Sequence, residues 1–451
     1  MLPLEPLRAI VGPTHVLSDP DDVASYTTDW TGRFVGSGTT VVRPGSVDEV
    51  AALVDWCRNE GVAIVPQGGN TGLVGGGVPL GGELVVSLRR LDRVDEVDPI
   101  SRQVTAGAGA TVEAVQRAAA AAGLRYAVDF GARGTATVGG SIATNAGGIN
   151  LIRFGGTREQ LVGIEAVLGT GAVVRQMSGL VKDNTGYHLP SLLCGSEGTL
   201  GIVTEARLRL VGAAPHRVVA FVAMASVDAA VAAVAEWRTS IPSLEAAELV
   251  FHEGIELVSS EFGVPLPFAD PSPAYVLLEA GALTDPTDEL ADAVAGADGV
   301  IDAAVASDSA RRAALWRLRE EHTLAINQVG VPHKFDVTLP QARLAEFAAT
   351  VPGIVERAVT GARTWLFGHV GDGNLHVNVT GAAHDAPELS DAVFALVVDL
   401  GGSISAEHGI GTAKVDYLSM QRSAGDLAAM RAIKSALDPD RIMNPNVLIT
   451  G

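Results

Sequence analysis

The sequence has little of what several large classes of protein require. Its 451 residues include only two cysteines, Cys57 and Cys194, which provide neither a disulfide framework nor a cysteine-based metal site. Such scarcity is typical of proteins in a reducing compartment, so we expect a cytoplasmic location. The first residues, MLPLEPLRAIVGP, lack the basic start and apolar run of a secretory signal peptide, and we expect none.

Positive charge and long apolar runs are also lacking. The formal net charge is −20, whereas proteins that bind nucleic acids or anionic membrane surfaces rely on basic patches. No stretch reaches the roughly 18 uninterrupted apolar residues of a transmembrane helix. We therefore expect no nucleic-acid partner and no membrane span. An anionic substrate stays compatible with this charge if a local cluster of arginine, lysine or metal binds it.

Glycine, by contrast, is abundant: there are 52 glycines in a chain that is 47% hydrophobic. The apolar content suffices for large cores, and clustered glycines indicate loops whose backbone approaches another group closely. Helix and strand patterns mix without regular βαβ alternation, which favours an α+β fold. A break near residues 212–216 separates two regions. We divide the chain into residues 1–212, residues 213–400 and a C-terminal segment, residues 401–451.

Three segments of the first region are rich in small residues. They are PQGGNTGLVGGG (66–77), DFGARGTATVGGSIATNAGG (129–148) and CGSEGTLGIVTEA (194–206). The first contains neither GxGxxG nor the GK[ST] of a P-loop. By itself it is equally compatible with a flexible surface turn and with a backbone nest for a pyrophosphate. The second favours a backbone that flanks a flat or extended ligand, because glycine and serine bury little surface.

In this order, the three segments resemble the FAD-binding domain of vanillyl-alcohol-oxidase-type flavoproteins. The resemblance implies an FAD that extends across two small α+β subdomains. It implies non-covalent binding, since the first segment has no histidine. The residues that it assigns to the cofactor are Pro66, Gly68, Gly69, Asn70, Thr71, Gly72, Gly134, Thr137, Gly140, Ser141, Thr144, Asn145, Gly147, Glu197, Gly201 and Ile202.

The stretch FGHVGDGNLHVN (367–378) places two histidines in what reads as two short strands. Asp372-Gly373 is typical of a two-residue hairpin turn. Pairing around that turn predicts that His369 lies directly opposite His376, with their Cβ atoms roughly 5 Å apart on one face of the sheet. Two imidazoles at that distance can bind one metal ion.

Glu407, in ISAEHGIG (404–411), is the candidate third ligand. Two histidines and a glutamate with one open position are typical of a catalytic zinc site. The same residues are also compatible with a hydrogen-bonded histidine pair beside a carboxylate, without a metal.

The motifs GHVGDGNLH, SAEHGIGTAK and DPDRIMNP resemble the C-terminal half of FAD-linked D-2-hydroxyacid dehydrogenases, which include D-lactate, glycolate and D-2-hydroxyglutarate enzymes. The resemblance implies an antiparallel-sheet α+β substrate domain, with the C-terminal segment returning to the flavin. It implies a divalent metal, with zinc expected, bound by His369, His376 and Glu407. His408 is then the catalytic base and Asn444 lies near the flavin. The tail reads NPNV where the family usually has NPGK, so no lysine contact is expected there.

A further cluster, WRLREEHTLAINQVGVPHKFD, carries candidate substrate ligands. Arg319 and Thr323 share one face if residues 308–328 form a single helix, and Lys334 follows on a strand. For an isolated arginine, a solvated helix face is the default interpretation. The pattern resembles D-2-hydroxyglutarate dehydrogenases in particular, in which these positions bind carboxylates, a role that suits the arginine fork. The resemblance also implies that Asn378 and His408 bind the substrate.

These implications combine into one expected activity. A D-2-hydroxy acid, with D-2-hydroxyglutarate as the expected substrate, is oxidised to the 2-oxo acid by hydride transfer to FAD, while His408 accepts the hydroxyl proton. Without an iron–sulfur motif, the electron acceptor is expected to be external, an electron-transfer flavoprotein or a quinone. Two alternatives stay open: D-lactate or glycolate oxidation, and a non-catalytic flavin-binding subunit of a larger complex. A homodimer is compatible with the sequence.

Overall fold

The computed structural model describes residues 2–37, 40–383 and 386–449. The chain folds into two compact units and passes from one to the other four times. Unit 1 consists of Met1–Gly148, Gly155–Gly212 and Glu407–Gly451, and unit 2 of Ile149–Phe154 and Ala213–Ala406. Among the described residues, no helix has the length and apolar character needed to cross a membrane.

Unit 1 contains ten short strands among the residues that the structure describes. They are β1 Val16–Leu17, β2 Val41–Val42, β3 Ile64–Gln67, β4 Leu84–Ser87, β5 Gln103–Gly107, β6 Leu124–Arg125, β7 Leu161–Leu168, β8 Val173–Gln176, β9 Gly201–Arg209 and β10 Val211–Gly212. One sheet has the order β1-β2-β4-β3, with β2, β4 and β3 parallel, and the other is the antiparallel sheet β5-β9-β7-β8. The strands β10 and β6 form a separate ribbon. Two small sheets accord with the two α+β subdomains expected of the FAD-binding domain.

Several helices share a large apolar core with these sheets, and helix Pro20–Thr27 packs on β2 and β4 in a second, smaller cluster. The helices of unit 1 are Leu4–Val11, Pro20–Thr27, Val47–Glu60, Val112–Ala121, Val138–Thr144, Thr157–Gln160, Leu189–Leu193, Leu418–Gln421 and Ala424–Leu437, with 3-10 turns at Pro13–His15 and Val415–Tyr417. The helix Val47–Glu60 shows how the local sequence sets their limits. The Ser46 side chain accepts a hydrogen bond from the Glu49 N–H at its start, and Gly61 ends it in the left-handed conformation.

Unit 2 is built on a seven-stranded sheet. Its strands are β11 His216–Met224, β12 Leu244–Val250, β13 Ala274–Ala282, β14 Val300–Ala306, β15 His333–Thr338, β16 Arg363–His369 and β17 Asn374–Thr380. The order is β14-β11-β13-β12-β16-β17-β15, and every neighbouring pair is antiparallel. The predicted α+β fold with an antiparallel substrate-domain sheet is thus confirmed.

Helices cover both faces of the unit 2 sheet. They are Leu151–Phe154, Val227–Ser240, His252–Phe262, Thr287–Gly296, Ser309–Glu320, His322–Val329, Gln341–Ala358 and Pro387–Asp399. On one face, Trp316 and Ile326 from two of these helices share a buried cluster with Phe221 of β11. On the opposite face, the ring of Phe335 on β15 meets that of Phe394 at a centroid distance of 5.5 Å.

The single helix predicted over residues 308–328 is wrong, because the structure divides it at Glu321. Here the backbone has ψ −2°, which interrupts the helical repeat, and a new helix begins at the next residue. The break turns His322 into the core, where its ring lies 5.0 Å from the ring of Phe367. Thr323 therefore belongs to the second helix and Arg319 to the first.

Candidate active site

The hairpin formed by β16 and β17 has a longer loop than its sequence predicts. His369 pairs with Asn374, and Phe367 pairs with His376, so residues 370–373 form a four-residue loop. The predicted two-residue turn and the directly opposed histidines are therefore wrong.

The local chemistry of Asp372 explains the longer loop. A two-residue turn of the predicted type needs positive φ at both central residues, yet only Gly373 has it, at φ 83°. The Asp372 carboxylate instead accepts a hydrogen bond from the N–H of Asn374 at 3.0 Å, a side-chain turn that aspartate often makes. The N–H of Leu339 then donates to the Gly373 carbonyl at 2.9 Å and holds the loop in place.

The two histidines nevertheless lie on one face of the sheet. Because the loop has four residues instead of two, its parity is unchanged, and His376 lies two positions beyond the direct partner of His369 on the same face. Their ring centroids are 5.5 Å apart, and a ring nitrogen of one lies within 4.8 Å of a ring nitrogen of the other. This separation suits two ligands of one ion.

Each histidine lies beside a buried carboxylate on a neighbouring strand. Glu248 on β12 pairs with His369, with Oε1 at 2.5 Å from Nδ1. Asp336 on β15 pairs with His376, with Oδ1 at 3.4 Å from Nδ1. A carboxylate behind an imidazole is the usual outer partner of a metal-binding histidine. Neither acid was predicted from the sequence. For Glu248 the available signal was its place in the largely apolar strand LEAAELV, whereas Asp336 lies in HKFDVT, which is largely polar.

Glu248 also binds the predicted substrate arginine. Arg319 Nε donates to Glu248 Oε2 at 2.6 Å, and the guanidinium carbon lies 4.6 Å from the centroid of the Phe367 ring. Burial alone raises the pKa of the Glu248 carboxyl, but the charges of His369 and Arg319, with the hydrogen bonds that both donate, lower it to about 2. The arginine is thus held between an ionised carboxylate and an aromatic face.

Two more predicted substrate residues lie side by side on the same face. Lys334 of β15 is the cross-strand partner of Asn378 on β17, two positions from the pair of Asp336 and His376. Burial lowers the pKa of Lys334 to about 8. Asn378 Nδ2 is buried and has no hydrogen-bond partner among the described residues. An unsatisfied buried donor is destabilising by about 1–3 kcal/mol, so a ligand that accepts this bond is favoured.

In unit 1, the predicted cofactor segments contact one another. A Cβ on Gly68 would lie 2.1 Å from Thr137 Oγ1, and a Cβ on Gly69 would lie 2.1 Å from the Thr135 carbonyl oxygen. The first small-residue loop therefore packs against the second segment so closely that only glycine fits at these positions. This is the close backbone approach that the glycines predict.

The C-terminal segment joins the same loops through Asn444. Its Nδ2 donates to the carbonyl oxygens of Gly76, at 2.9 Å, and Glu197, at 2.8 Å. The preceding residue, Met443, forms a parallel bridge to Ile64 of β3. Asn444 thus links the first and third small-residue segments.

Four predicted cofactor residues have a strained backbone. Asn70, Asn145, Glu197 and Asn444 have φ values of 57°, 53°, 52° and 43°. Left-handed conformations are uncommon for residues other than glycine, and strain of this kind concentrates at functional sites. The coincidence supports a ligand-binding role for the loops that carry these residues.

The loop that begins with Glu407 is anchored within unit 1 by two carboxylates. Glu197 accepts hydrogen bonds from the N–H groups of Ile410, at 2.9 Å, and Gly411, at 2.7 Å. Glu407 Oε1 itself accepts from the Gly148 N–H at 2.9 Å. The loop that carries the predicted base is therefore bonded to both the second and the third small-residue segments.

Comparison with known proteins agrees with these features. A family described as FAD linked oxidases, C-terminal domain, matches residues 213–448, and one described as FAD binding domain matches residues 39–176. The chain is 40% identical to the D-2-hydroxyglutarate dehydrogenase of Xanthomonas citri pv. viticola, over 98% of this chain and 96% of that protein. It is 34% identical to the mitochondrial D-2-hydroxyglutarate dehydrogenase of Bos taurus, over 96% of this chain and 81% of that one.

Solved structures share the fold at low sequence identity. The structure of p-cresol methylhydroxylase aligns with a TM-score of 0.78 at 15% identity and covers 99% of this chain and 96% of its own. Alkyldihydroxyacetonephosphate synthase aligns with a TM-score of 0.75 at 18% identity, covering 99% and 86%. The two family matches, which together span both units, define a flavin-dependent oxidoreductase. The chain belongs to the FAD-linked oxidases, in the group of D-2-hydroxyacid dehydrogenases, and the family and FAD dependence predicted from its motifs are confirmed.

Proposed function

We propose that this enzyme oxidises D-2-hydroxyglutarate to 2-oxoglutarate with the help of a divalent metal, zinc by ligand type. The observation that carries the proposal is the polar face of β15, β16 and β17, which bears two histidines, Lys334 and the unsatisfied amide of Asn378, with Arg319 bonded to Glu248 beside His369. Two cations, Arg319 and Lys334, match a substrate with two carboxylates. The relatives that are 34–40% identical carry the name of this dehydrogenase.

The donor set fits a divalent metal. We assign His369, His376 and Glu407 as its ligands, with the two imidazoles turned by the carboxylates behind them. Glu407 directly follows Ala406, whose N–H donates to the carbonyl oxygen of Asp336 at 3.2 Å. When bound, such an ion acts as a Lewis acid that lowers the pKa of an alcohol oxygen.

The remaining roles belong to side chains of this chain. His408 accepts the proton of the substrate hydroxyl. Arg319 donates its Nε–H to Glu248, so its two terminal nitrogens can bind a substrate carboxylate as a fork. Lys334 and Thr323 bind carboxylate oxygens, and Asn378 donates to the substrate.

The flavin belongs to unit 1 in this proposal. When bound, FAD would supply the acceptor for the α-hydrogen, which leaves the substrate as hydride. The residues proposed to hold it are those of the three small-residue segments assigned above, together with Asn444. Their left-handed backbone positions and tight glycine contacts support this assignment. Transfer of electrons to an external flavoprotein or quinone, a cytoplasmic location and a homodimer stay predictions.

The test is anaerobic reduction of the purified, FAD-bound enzyme. D-2-Hydroxyglutarate is expected to bleach the oxidised-flavin absorbance faster than D-lactate or glycolate. Equal or faster bleaching by D-lactate would instead favour a monocarboxylate dehydrogenase, and no bleaching by any of them would favour a non-catalytic flavin subunit. A parallel sample treated with EDTA is expected to react more slowly and to recover with Zn²⁺. Reduction unaffected by EDTA would contradict the metal.

A further inference from the structure

Glu248 is bonded to two residues with separate roles in the proposed reaction. Its Oε1 accepts from Nδ1 of His369, a proposed metal ligand, and its Oε2 accepts from Nε of Arg319, a proposed substrate ligand. We propose that Glu248 is a positioning residue that fixes the tautomer of His369 and the direction of Arg319 at once. This inference rests on the proposed function, since it concerns the metal and the carboxylate of that site.

The contacts around Glu248 close into a ring of five side chains. Arg319 Nε lies 2.6 Å from the Glu248 carboxylate, and the Arg319 guanidinium carbon lies 4.6 Å from the centroid of the Phe367 ring. The Phe367 ring in turn lies 5.1 Å from the ring of His376 by centroids. His376 lies 5.5 Å from His369 by ring centroids, and His369 returns to Glu248 at 2.5 Å. Each member is held on two sides, so a change at the carboxylate reaches both histidines and the arginine.

The tautomer of His369 follows from the chemistry of its partner. An ionised carboxylate accepts hydrogen bonds and cannot donate one, so Nδ1 carries the proton. When the ring gives up its second proton to bind a metal, that proton leaves Nε2, because Nδ1–H stays bonded to the carboxylate, so Nε2 is the nitrogen that can coordinate. Glu248 thereby selects the coordinating atom without being a ligand itself.

Burial makes the carboxylate difficult to replace. The exposed fraction of the Glu248 side chain is 1%, and those of His369 and Arg319 are 8% and 11%. Water is therefore a poor substitute partner for either residue. Loss of a buried charge partner is usually far more disruptive than loss of an exposed one.

The chain offers a matched control on the same strand. Glu245 is equally buried at 1% exposure and binds two arginines, Arg153 at 2.9 Å and Arg217 at 2.8 Å. Neither arginine belongs to the proposed site. Glu245→Gln therefore reproduces the removal of a buried, doubly paired carboxylate from β12 while leaving the ring of Glu248 intact.

The experiment compares Glu248→Gln with Glu245→Gln in the FAD-bound enzyme. A glutamine keeps the volume, but its acceptor lone pairs lie on one oxygen, whereas His369 and Arg319 meet separate carboxylate oxygens. One of the two donors would therefore face the NH2 group. Zinc affinity, measured by competition with a chelating dye, is expected to fall about 10- to 100-fold in Glu248→Gln, the range known for outer-shell partners of metal ligands. Glu245→Gln is expected to bind zinc like the wild type.

A second readout tests Arg319 without any metal. In chelator-treated protein, the affinity for 2-oxoglutarate, followed by perturbation of the flavin spectrum, is expected to fall in Glu248→Gln and to stay unchanged in Glu245→Gln. Glu248→Asp, which retains the charge with a shorter reach, is expected to recover part of both affinities. If Glu248→Gln does not fold, Glu248→Asp serves in its place, with a smaller loss expected in each readout.

The outcomes separate the inference from the function on which it rests. Wild-type affinity for both zinc and 2-oxoglutarate in Glu248→Gln would overturn the inference, as would equal losses in Glu248→Gln and Glu245→Gln. A wild-type enzyme that binds no zinc and loses nothing to EDTA would contradict the metal in the proposed function. In that case the affinity for 2-oxoglutarate decides whether Glu248 positions Arg319.

Discussion

At the scale of single residues, Lys334 makes substrate binding depend on pH. Its pKa is lowered by burial to about 8, so the amine is charged below that pH and neutral above it. Only the charged form pairs with a carboxylate. We therefore expect the KM for D-2-hydroxyglutarate to rise as the pH increases through about 8, which a series of steady-state measurements across that range would show.

The variant Lys334→Met isolates this effect. A hydrogen bond to a charged group contributes about 1.5–3 kcal/mol, so we expect the KM for D-2-hydroxyglutarate to increase about 10- to 100-fold at low pH. The increase should shrink once the wild-type lysine is itself neutral. D-Lactate, which has one carboxylate, is the matched control, and an equal loss with both substrates would show that Lys334 does not bind a second carboxylate.

Motif residues could be predicted from the sequence because their neighbours in the chain identify them. The stretch around His369 and His376 is of this kind. Glu248 is not, since its partner His369 is 121 positions away in the chain and the two meet only because β12 and β16 are neighbours in the sheet. Sequence spacing predicts contacts within a hairpin or a helix, but it does not give the order of non-consecutive strands.

At the scale of elements, the loop between β16 and β17 depends on Gly373. This residue has φ 83°, and a Cβ there would lie 2.2 Å from the Leu339 carbonyl oxygen. Gly361 has the same φ of 83°, with nothing within 4 Å of its Cβ position among the described residues. Alanine at either position is strained by about 1–2 kcal/mol, but only Gly373→Ala adds a clash with backbone.

We therefore expect Gly373→Ala to lower the free energy of unfolding by clearly more than Gly361→Ala does, as measured by denaturant titration. Because His369 and Asn374 flank this loop, Gly373→Ala is also expected to weaken zinc binding, whereas Gly361→Ala is not. Similar losses for the two variants would mean that the backbone near Leu339 yields easily.

The same loop shows why the prediction placed both histidines on one face of the sheet correctly although it gave the wrong turn length. Side chains alternate along a strand, so the relative face of two histidines depends on whether the loop between the strands has an odd or an even number of residues. The predicted loop of two and the observed loop of four are both even. The missing information was the Asp372 side-chain turn, which competes with the tighter backbone turn.

At the scale of the whole molecule, residues 149–154 are a short excursion into unit 2 from a stretch of unit 1. Arg153 holds them there: its Nη1 donates to the carbonyl oxygens of Ser243, at 3.0 Å, and Gly281, at 2.6 Å, and to Glu245 at 2.9 Å. The sequence did not predict this excursion, because a four-residue helix has too few positions to show a periodic pattern. The division into residues 1–212, 213–400 and 401–451 stays a prediction.

Arg153→Met is expected to release this excursion. Amide hydrogen exchange of residues 149–154, followed by mass spectrometry, should become faster, and the melting temperature should fall, because Glu245 loses one of its two cations. Arg175→Met is the control: Arg175 pairs with Glu165 but is 60% exposed, and exposed pairs contribute little. Unchanged exchange in Arg153→Met would show that packing alone holds the excursion.

The division of unit 1 over three stretches of chain bears on how the protein is made. The Ile64 N–H of β3 donates to the Ile442 carbonyl oxygen, and the Glu197 carboxylate accepts from the N–H groups of Ile410 and Gly411. These three partners all lie beyond Glu407 in the chain. During synthesis on the ribosome, Ile64 and Glu197 therefore lack these partners until almost the whole polypeptide has been made. All residues of unit 2 have been made before that point. Retention of the flavin is therefore expected to be a late event in biogenesis, and nascent chains stalled before Glu407 should emerge colourless.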